Sequence, residues 1–149
     1  MNYVRALKIC EESLSQAGPE PTQYRSAILG MLGNALLLNG DPAGCVRRVI
    51  EAGGGPEMPA FEEPLRPLWL RLLTGAELAR GDVAAAEMWA GRAASAVSPD
   101  RPPGQLGFAL LARADVHLTR DDAVAAEAVC PAAAASAQLE CHSMKPQPG

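Results

Sequence analysis

Apolar residues recur at helical spacing along most of this chain. Val4, Leu7, Cys10 and Leu14 follow one another at intervals of three or four residues near the N-terminus, which places them on one face of a helix. The same periodicity resumes after Pro21, and the residues expected on the buried face there are Tyr24, Ala27, Ile28, Met31, Leu32, Ala35 and Leu36. The pattern therefore predicts helices over residues 2–17 and 21–39.

Polar dipeptides interrupt this pattern at regular intervals. Gly40-Asp41, Gly81-Asp82 and Asp121-Asp122 each follow an apolar helical stretch, and their second residues lie 41 and 40 positions apart. Glycine readily adopts the left-handed conformation that ends a helix, and an aspartate side chain accepts hydrogen bonds from the first turn of the next helix. Each dipeptide therefore predicts a sharp turn between two antiparallel helices.

Small residues recur at fixed distances from these turns, as two closely crossing helices require. The positions eight before, four after and eleven after the second residue of each turn are all small: Gly33, Thr74, Ala114, Cys45, Ala86, Ala126, Ala52, Ala93 and Ala133. A repeat of about 40 residues is typical of stacked helical hairpins.

The pattern predicts an all-α protein of about seven helices, arranged as antiparallel helix-pair repeats. A single N-terminal helix occupies residues 1–18, three hairpins follow at about 20–53, 60–98 and 103–140, and residues 142–149 are expected to be a disordered tail. Gly53-Gly54-Gly55-Pro56 is expected to form a flexible loop between the first two hairpins. Pro131 is expected to kink the last helix or to end it early.

Composition narrows the range of partners. The net charge is −4 and no basic stripe is present, so direct contact with nucleic acid is not expected. No apolar run approaches the roughly 20 residues of a membrane span, and the N-terminal residues lack the apolar core of a signal peptide. The sequence therefore predicts a cytoplasmic protein with no membrane contact.

Several motifs resemble tetratricopeptide-type (TPR) helical repeats. Leu32-Gly33, Leu36 and Gly40-Asp41 match the conserved features of a first repeat helix and its turn, and Ala86 and Ala93 match the small residues of a second helix. The period exceeds the family's usual value of about 34 residues. It is similar to the longer arrays of large LuxR-type (MalT-like) ATP-dependent transcriptional regulators, which the stretch 78–89 also resembles. The ATPase and DNA-binding domains of that group are not visible in this chain.

The resemblance implies a TPR-like α-solenoid that acts as a non-enzymatic protein–protein interaction module, within a bacterial transcriptional regulator. The alternative is a ligand-sensing segment of a LuxR-type regulator. The partner would be a protein or peptide, or another domain of a regulator. Counting from the turns onto the concave groove of the family gives eight candidate lining residues: Gly30, Asn34, Leu68, Arg71, Gly75, Phe108, Leu111 and Asp115.

No residue pattern favours catalysis, a metal or a cofactor. His117 falls within a predicted helix, where a structural role is expected. Cys141 and His142 form one pair without the second pair that a metal site needs. Trp69 and Trp89 are expected to pack in the core.

Both predicted ends of the array lack polar caps. The first helix has no partner before it, and the last carries Ala132-Ala133-Ala134-Ala135 with few charges. Because uncapped ends expose apolar surface, the sequence also predicts self-association through the ends.

Overall fold

A computed structural model describes residues 3–61, 65–97, 100 and 103–120. Within these ranges the chain forms six helices and no strand, and the predicted all-α class is confirmed. The helices are α1 (Tyr3–Ala17), α2 (Gln23–Leu38), α3 (Pro42–Ala52), α4 (Arg66–Arg80), α5 (Val83–Ser95) and α6 (Pro103–Thr119). The predicted seventh helix, Pro131 and the predicted tail lie outside the described residues.

The first two predicted turns have the expected geometry. Gly40 and Gly81 both adopt left-handed backbone conformations, with φ of 86° and 82°. Asp41 and Asp82 cap the helices that follow, since their Oδ1 atoms accept the backbone N–H three residues on at 2.8 and 2.9 Å. These contacts satisfy donors that the first turn of a helix otherwise leaves open.

Neighbouring helices pack in pairs. α2 packs against α3 and α4 against α5, while α1 covers α2, α3 contacts α4, and α6 contacts both α4 and α5. Gly33 shows how close the first crossing is, because a Cβ atom added there would lie 2.7 Å from a methyl group of Val49. Seven of the nine small repeat positions are described and all seven are buried; Ala126 and Ala133 lie outside the described residues.

The predicted buried face of α2 is partly wrong. Ile28, Leu32 and Ala35 are buried, but Tyr24 and Met31 are 64% and 61% exposed, and Ala27 is exposed as well. α1 and α3 cover one side of α2, and α4 approaches it only locally. The remaining side therefore stays open within the described part of the chain.

The described part of the loop between α3 and α4 contributes two residues to the core. Met58 is fully buried and Phe61 is 5% exposed, and both belong to the main hydrophobic cluster. The backbone N–H of Ala60 donates to the carbonyl of Gly53 at 2.9 Å, and Arg92 on α5 donates to the Pro56 carbonyl at 2.7 Å. The loop is therefore folded back onto the helices that it joins.

Candidate functional site

Two cavities lie along the crevice between α2 and α4. The first, here called the front cavity, has a volume of about 200 Å³. It is lined by Gln23, Ser26, Ala27, Ala60, Phe61, Leu65 and Trp69. The second, the rear cavity, has a volume of about 260 Å³. It is lined by Asn34, Leu37, Leu68, Arg71, Leu72, Gly75 and Asp115.

The rear cavity brings together most of the groove residues expected from the sequence. Asn34, Leu68, Arg71, Gly75 and Asp115 all line it, although they come from three different helices. Phe108 and Leu111 are half-buried and do not line it. They lie on the same side of α6 as Asp115, two turns and one turn before it.

Gly30 is not a groove residue, contrary to expectation. It is buried in the middle of α2, and a Cβ atom added there would lie 2.5 Å from the ring carbon Cη2 of Trp69. Trp69 stacks on Phe61, with ring centroids 5.2 Å apart and planes inclined by 17°. Its ring thus lies against α2 between the two cavities, and the missing side chain of Gly30 leaves room for it.

The two tryptophans both pack on the main hydrophobic cluster, as expected, but they are buried to different extents. Trp89 is 4% exposed and belongs to the main cluster, with the guanidinium of Arg92 5.0 Å from its ring centroid. Trp69 is half-buried and forms part of the wall of the front cavity. It offers an aromatic surface to a molecule in the crevice.

An ion pair spans α4 and α6 at the rear cavity. Arg71 Nε lies 4.0 Å from Asp115 Oδ2, and the two side chains are 37% and 41% exposed. Burial raises the pKa of the Asp115 carboxyl, and the neighbouring Arg71 offsets this only in part. At this distance the two groups attract one another without a hydrogen bond. The guanidinium can therefore still donate, and the carboxylate can still accept, hydrogen bonds with other groups.

Neither Cys10 nor Cys45 has a thiol whose pKa is lowered towards a reactive thiolate. Burial raises the pKa of the Cys45 thiol to about 12, with Asp41 and Glu77 adding to the effect. Burial also raises the pKa of the Cys10 thiol. Both thiols are free and protonated at neutral pH. His117 is half-buried on α6.

The described residues also form no metal site. Within the described ranges, no group of three or more His, Cys, Asp or Glu side chains is placed to hold a metal ion. Cys130, Cys141 and His142 lie outside these ranges. The crevice offers apolar contact, an aromatic ring, two side-chain amides, a serine hydroxyl and one ion pair, which are groups suited to binding.

The sequence reasoning missed the front cavity. Its floor depends on Ala60 and Phe61, which reach α2 only because the loop folds back from α3. No local sequence pattern indicates that the loop after α3 folds back towards α2. The sequence does carry one relevant signal, since Tyr24, Met31 and Leu38 recur every seven residues and this spacing keeps them on one side of α2.

Comparisons with known proteins leave the family open. No protein-family model matches this chain, nor does any curated protein or solved structure match it significantly. Each helix in the described ranges is too short or too polar to cross a lipid bilayer.

Proposed function

We propose that this chain is a non-enzymatic protein–protein interaction module built on a TPR-like helical-repeat scaffold. The observation that carries the proposal is the crevice between α2 and α4, where Asn34, Leu68, Arg71 and Asp115 line one cavity. An apolar surface with a few convergent polar groups is typical of a site that recognises a peptide or a helix.

Cavity size favours a polypeptide over a small ligand. Pockets for small molecules usually measure about 300–1,000 Å³ and enclose most of the ligand. The front and rear cavities, at about 200 and 260 Å³, are below this range, and they lie at two places along one crevice. A polypeptide can fill both with separate side chains. The alternative function, a ligand-sensing segment of a LuxR-type regulator, is therefore the second choice.

The resemblance of the repeat to the arrays of MalT-like regulators suggests in which kind of protein complex the module acts. In this proposal the module is cytoplasmic and binds either a separate protein or another domain of a bacterial transcriptional regulator. It does not contact nucleic acid itself, since the chain carries a net charge of −4 and DNA-binding surfaces are basic.

Site-specific photo-crosslinking tests the proposed function in the cell that makes the protein. A photoreactive phenylalanine analogue replaces Asn34, which is exposed and lines the rear cavity, or Ala84, which is exposed on α5 and lines none of the described cavities. We expect a discrete polypeptide adduct from position 34 and none from position 84. No adduct at position 34, or the same adducts at both positions, would contradict the proposal.

A further inference from the structure

Residues 53–61, which follow α3, form a segment here called the strap. Its backbone turns at three left-handed residues, Gly54, Gly55 and Met58, with φ of 78°, 124° and 56°. Among the described residues, Met58 is the only one other than glycine that adopts a positive φ. This conformation is unfavourable for a residue with a side chain, so the surrounding structure must hold Met58 in it.

Buried contacts hold Met58 in its left-handed conformation. Its side chain is fully buried in the main hydrophobic cluster. Its backbone N–H donates to the Gly55 carbonyl at 3.0 Å, and its carbonyl accepts from the Phe61 N–H at 3.3 Å. The sulfur atom lies against Gly53, where an added Cβ atom would collide with it. The strap therefore follows one defined path from the end of α3 to Phe61.

Arg92 on α5 fastens the strap. Its guanidinium donates to the Pro56 carbonyl at 2.7 Å and lies 3.3 Å from the Glu57 carboxylate. The same guanidinium lies 5.0 Å from the centroid of the Trp89 ring, and this cation–π contact favours one orientation of the arginine. A cavity of about 230 Å³ lies between the strap, α4 and α5, so close packing does not replace the polar contacts of Arg92 there.

The other end of the strap forms part of the front cavity. Ala60 and Phe61 line that cavity together with Trp69, and the Phe61 ring stacks on Trp69 at a centroid distance of 5.2 Å. The Ala60 N–H donates to the Gly53 carbonyl at 2.9 Å, which joins this end of the strap to its beginning. The path of the strap therefore determines where this wall of the front cavity lies.

The helix that carries Arg92 stands apart from the front cavity. Within the described ranges α5 packs against α4 and α6 but not against α2, and no residue of α5 lines the front cavity. The strap thus provides a connection from Arg92 to Phe61 that is separate from the packing of α4 against α5.

We infer that Arg92 is a positioning residue for the front cavity. By holding Pro56 and Glu57 it keeps the strap in its strained path, and the strap in turn presents Ala60 and Phe61 to the crevice. A change at Arg92 therefore alters the front cavity from the surface of α5. The inference goes beyond the proposed function, because it states how one cavity is formed and applies whatever molecule the crevice binds.

Amide hydrogen exchange of the full chain tests whether Arg92 holds the strap. Arg92→Met removes the guanidinium and keeps an unbranched side chain. The Ala60 amide should then exchange on the order of tenfold faster relative to the Leu73 amide, because the strap loses a hydrogen bond from a charged donor. Leu73 is the reference because it is fully buried at the centre of α4.

A second arginine provides the matched control. Arg48 on α3 is also paired with a glutamate, since its Nη1 atom lies 2.8 Å from Oε2 of Glu51, but it makes no hydrogen bond to the strap among the described contacts. Arg48→Met removes the same charge and should leave the relative exchange rates of Ala60 and Leu73 unchanged. Circular dichroism verifies that each variant is folded.

The front cavity itself is followed by ¹⁹F NMR after both tryptophans are replaced by 5-fluorotryptophan. Arg92→Met should shift or broaden the Trp69 signal, because the Phe61 ring stacks on Trp69. Gly55→Ala reaches the strap by a second route, since alanine disfavours a φ of 124° and its Cβ atom would meet no other group within 4 Å. This variant should change the Trp69 signal in the same direction without altering α5.

Two results would overturn the inference. Equal acceleration of the Ala60 and Leu73 amides in Arg92→Met would show that Arg92 stabilises only the fold as a whole. A Trp69 signal that stays at its original position in Arg92→Met and Gly55→Ala would show that the strap does not shape the front cavity. No partner takes part in these measurements, so they can fail while a polypeptide adduct at position 34 still supports the interaction module, and they can succeed when no adduct forms.

Discussion

The two junctions between first helices of successive hairpins differ sharply. α4 packs closely along α6, whereas α2 and α4 approach one another only locally, and cavities remain on either side of Trp69. The corresponding residue of α6 is Ala109, since Trp69 and Ala109 lie thirteen residues before Asp82 and Asp122, which occupy equivalent positions of the sequence repeat. Ala109 is 1% exposed and buried in the main cluster.

We attribute much of the difference to one side chain. The ring of Trp69 packs against Gly30 between α2 and α4, whereas the alanine at the same repeat position of α6 is buried in the main cluster. Two hairpins with the same turn geometry can therefore be joined by one open junction and one closely packed junction.

The closed junction should be intolerant of added volume. Ala86 is fully buried and shares a cluster with Ala112 and Val116 of α6 and with Leu78 of α4. Ala86→Leu should lower the free energy of unfolding by about 1–3 kcal/mol, because three more carbon atoms must displace packed neighbours. Chemical denaturation measures the change. Ala84→Leu, at an exposed position of the same helix, should change it by less than about 0.5 kcal/mol.

Equal stability of the two leucine variants would show that α5 does not pack against α4 and α6 as described. Ala27→Leu, at the open junction, offers a further comparison. It should also stay within about 0.5 kcal/mol of the parent, because Ala27 is exposed on α2.

The open junction should depend on the pairing of Gly30 with Trp69. Gly30→Ala should destabilise the parent, since the new Cβ would meet the ring at 2.5 Å. In a Trp69→Ala background the same change should stabilise the protein by up to about 1 kcal/mol, because alanine is the better helix former. The double-mutant cycle should give a coupling energy of about 1 kcal/mol or more. A coupling near zero would mean that Trp69 does not hold the helices apart.

The two turns should be energetically equivalent despite the different junctions. Asp41 and Asp82 make the same capping contact, at 2.8 and 2.9 Å. Asp41→Ala and Asp82→Ala should each lower the free energy of unfolding by about 1 kcal/mol. In the asparagine variants the free energy of unfolding should fall by only a few tenths of a kcal/mol, because asparagine caps a helix almost as well as aspartate does. A large difference between the two alanine variants would contradict the equivalence of the hairpins.

The smallest expected effect concerns the pH dependence of stability and the ion pair between Arg71 on α4 and Asp115 on α6. Asp115 has a pKa above its ordinary value, so the folded protein holds this proton more tightly than the unfolded chain. Its contribution to stability therefore decreases as pH rises above about 4, through the raised pKa of the folded state. Asp115→Asn removes that contribution, and its stability relative to the parent should increase over this range.

Arg71→Met sharpens the same test, because Arg71 lowers the pKa of Asp115. A ¹³C NMR titration of the carboxyl group should show a still higher pKa in this variant. An unchanged pKa would mean that the two side chains do not interact in solution.

Local patterns in the sequence were sufficient to predict the described helices and the two described hairpin turns. Asp41 and Asp82 cap as expected, because a cap depends on residues three positions apart. The small repeat positions likewise identified the close crossings, where Gly33 and Ala86 leave no room for larger side chains. These features follow from short-range geometry, which a sequence records directly.

The tertiary structure decided which side of each helix is covered. Tyr24 and Met31 have the apolar character of core residues, yet they are exposed, because no helix in the described ranges covers their side of α2. Gly30 and Asn34 lie one turn apart on the same helix, but Gly30 is buried under Trp69 while Asn34 opens onto a cavity. Met58 became core when its loop folded back. Burial depends on the size of side chains that meet from distant parts of the chain, and no local periodicity contains that information.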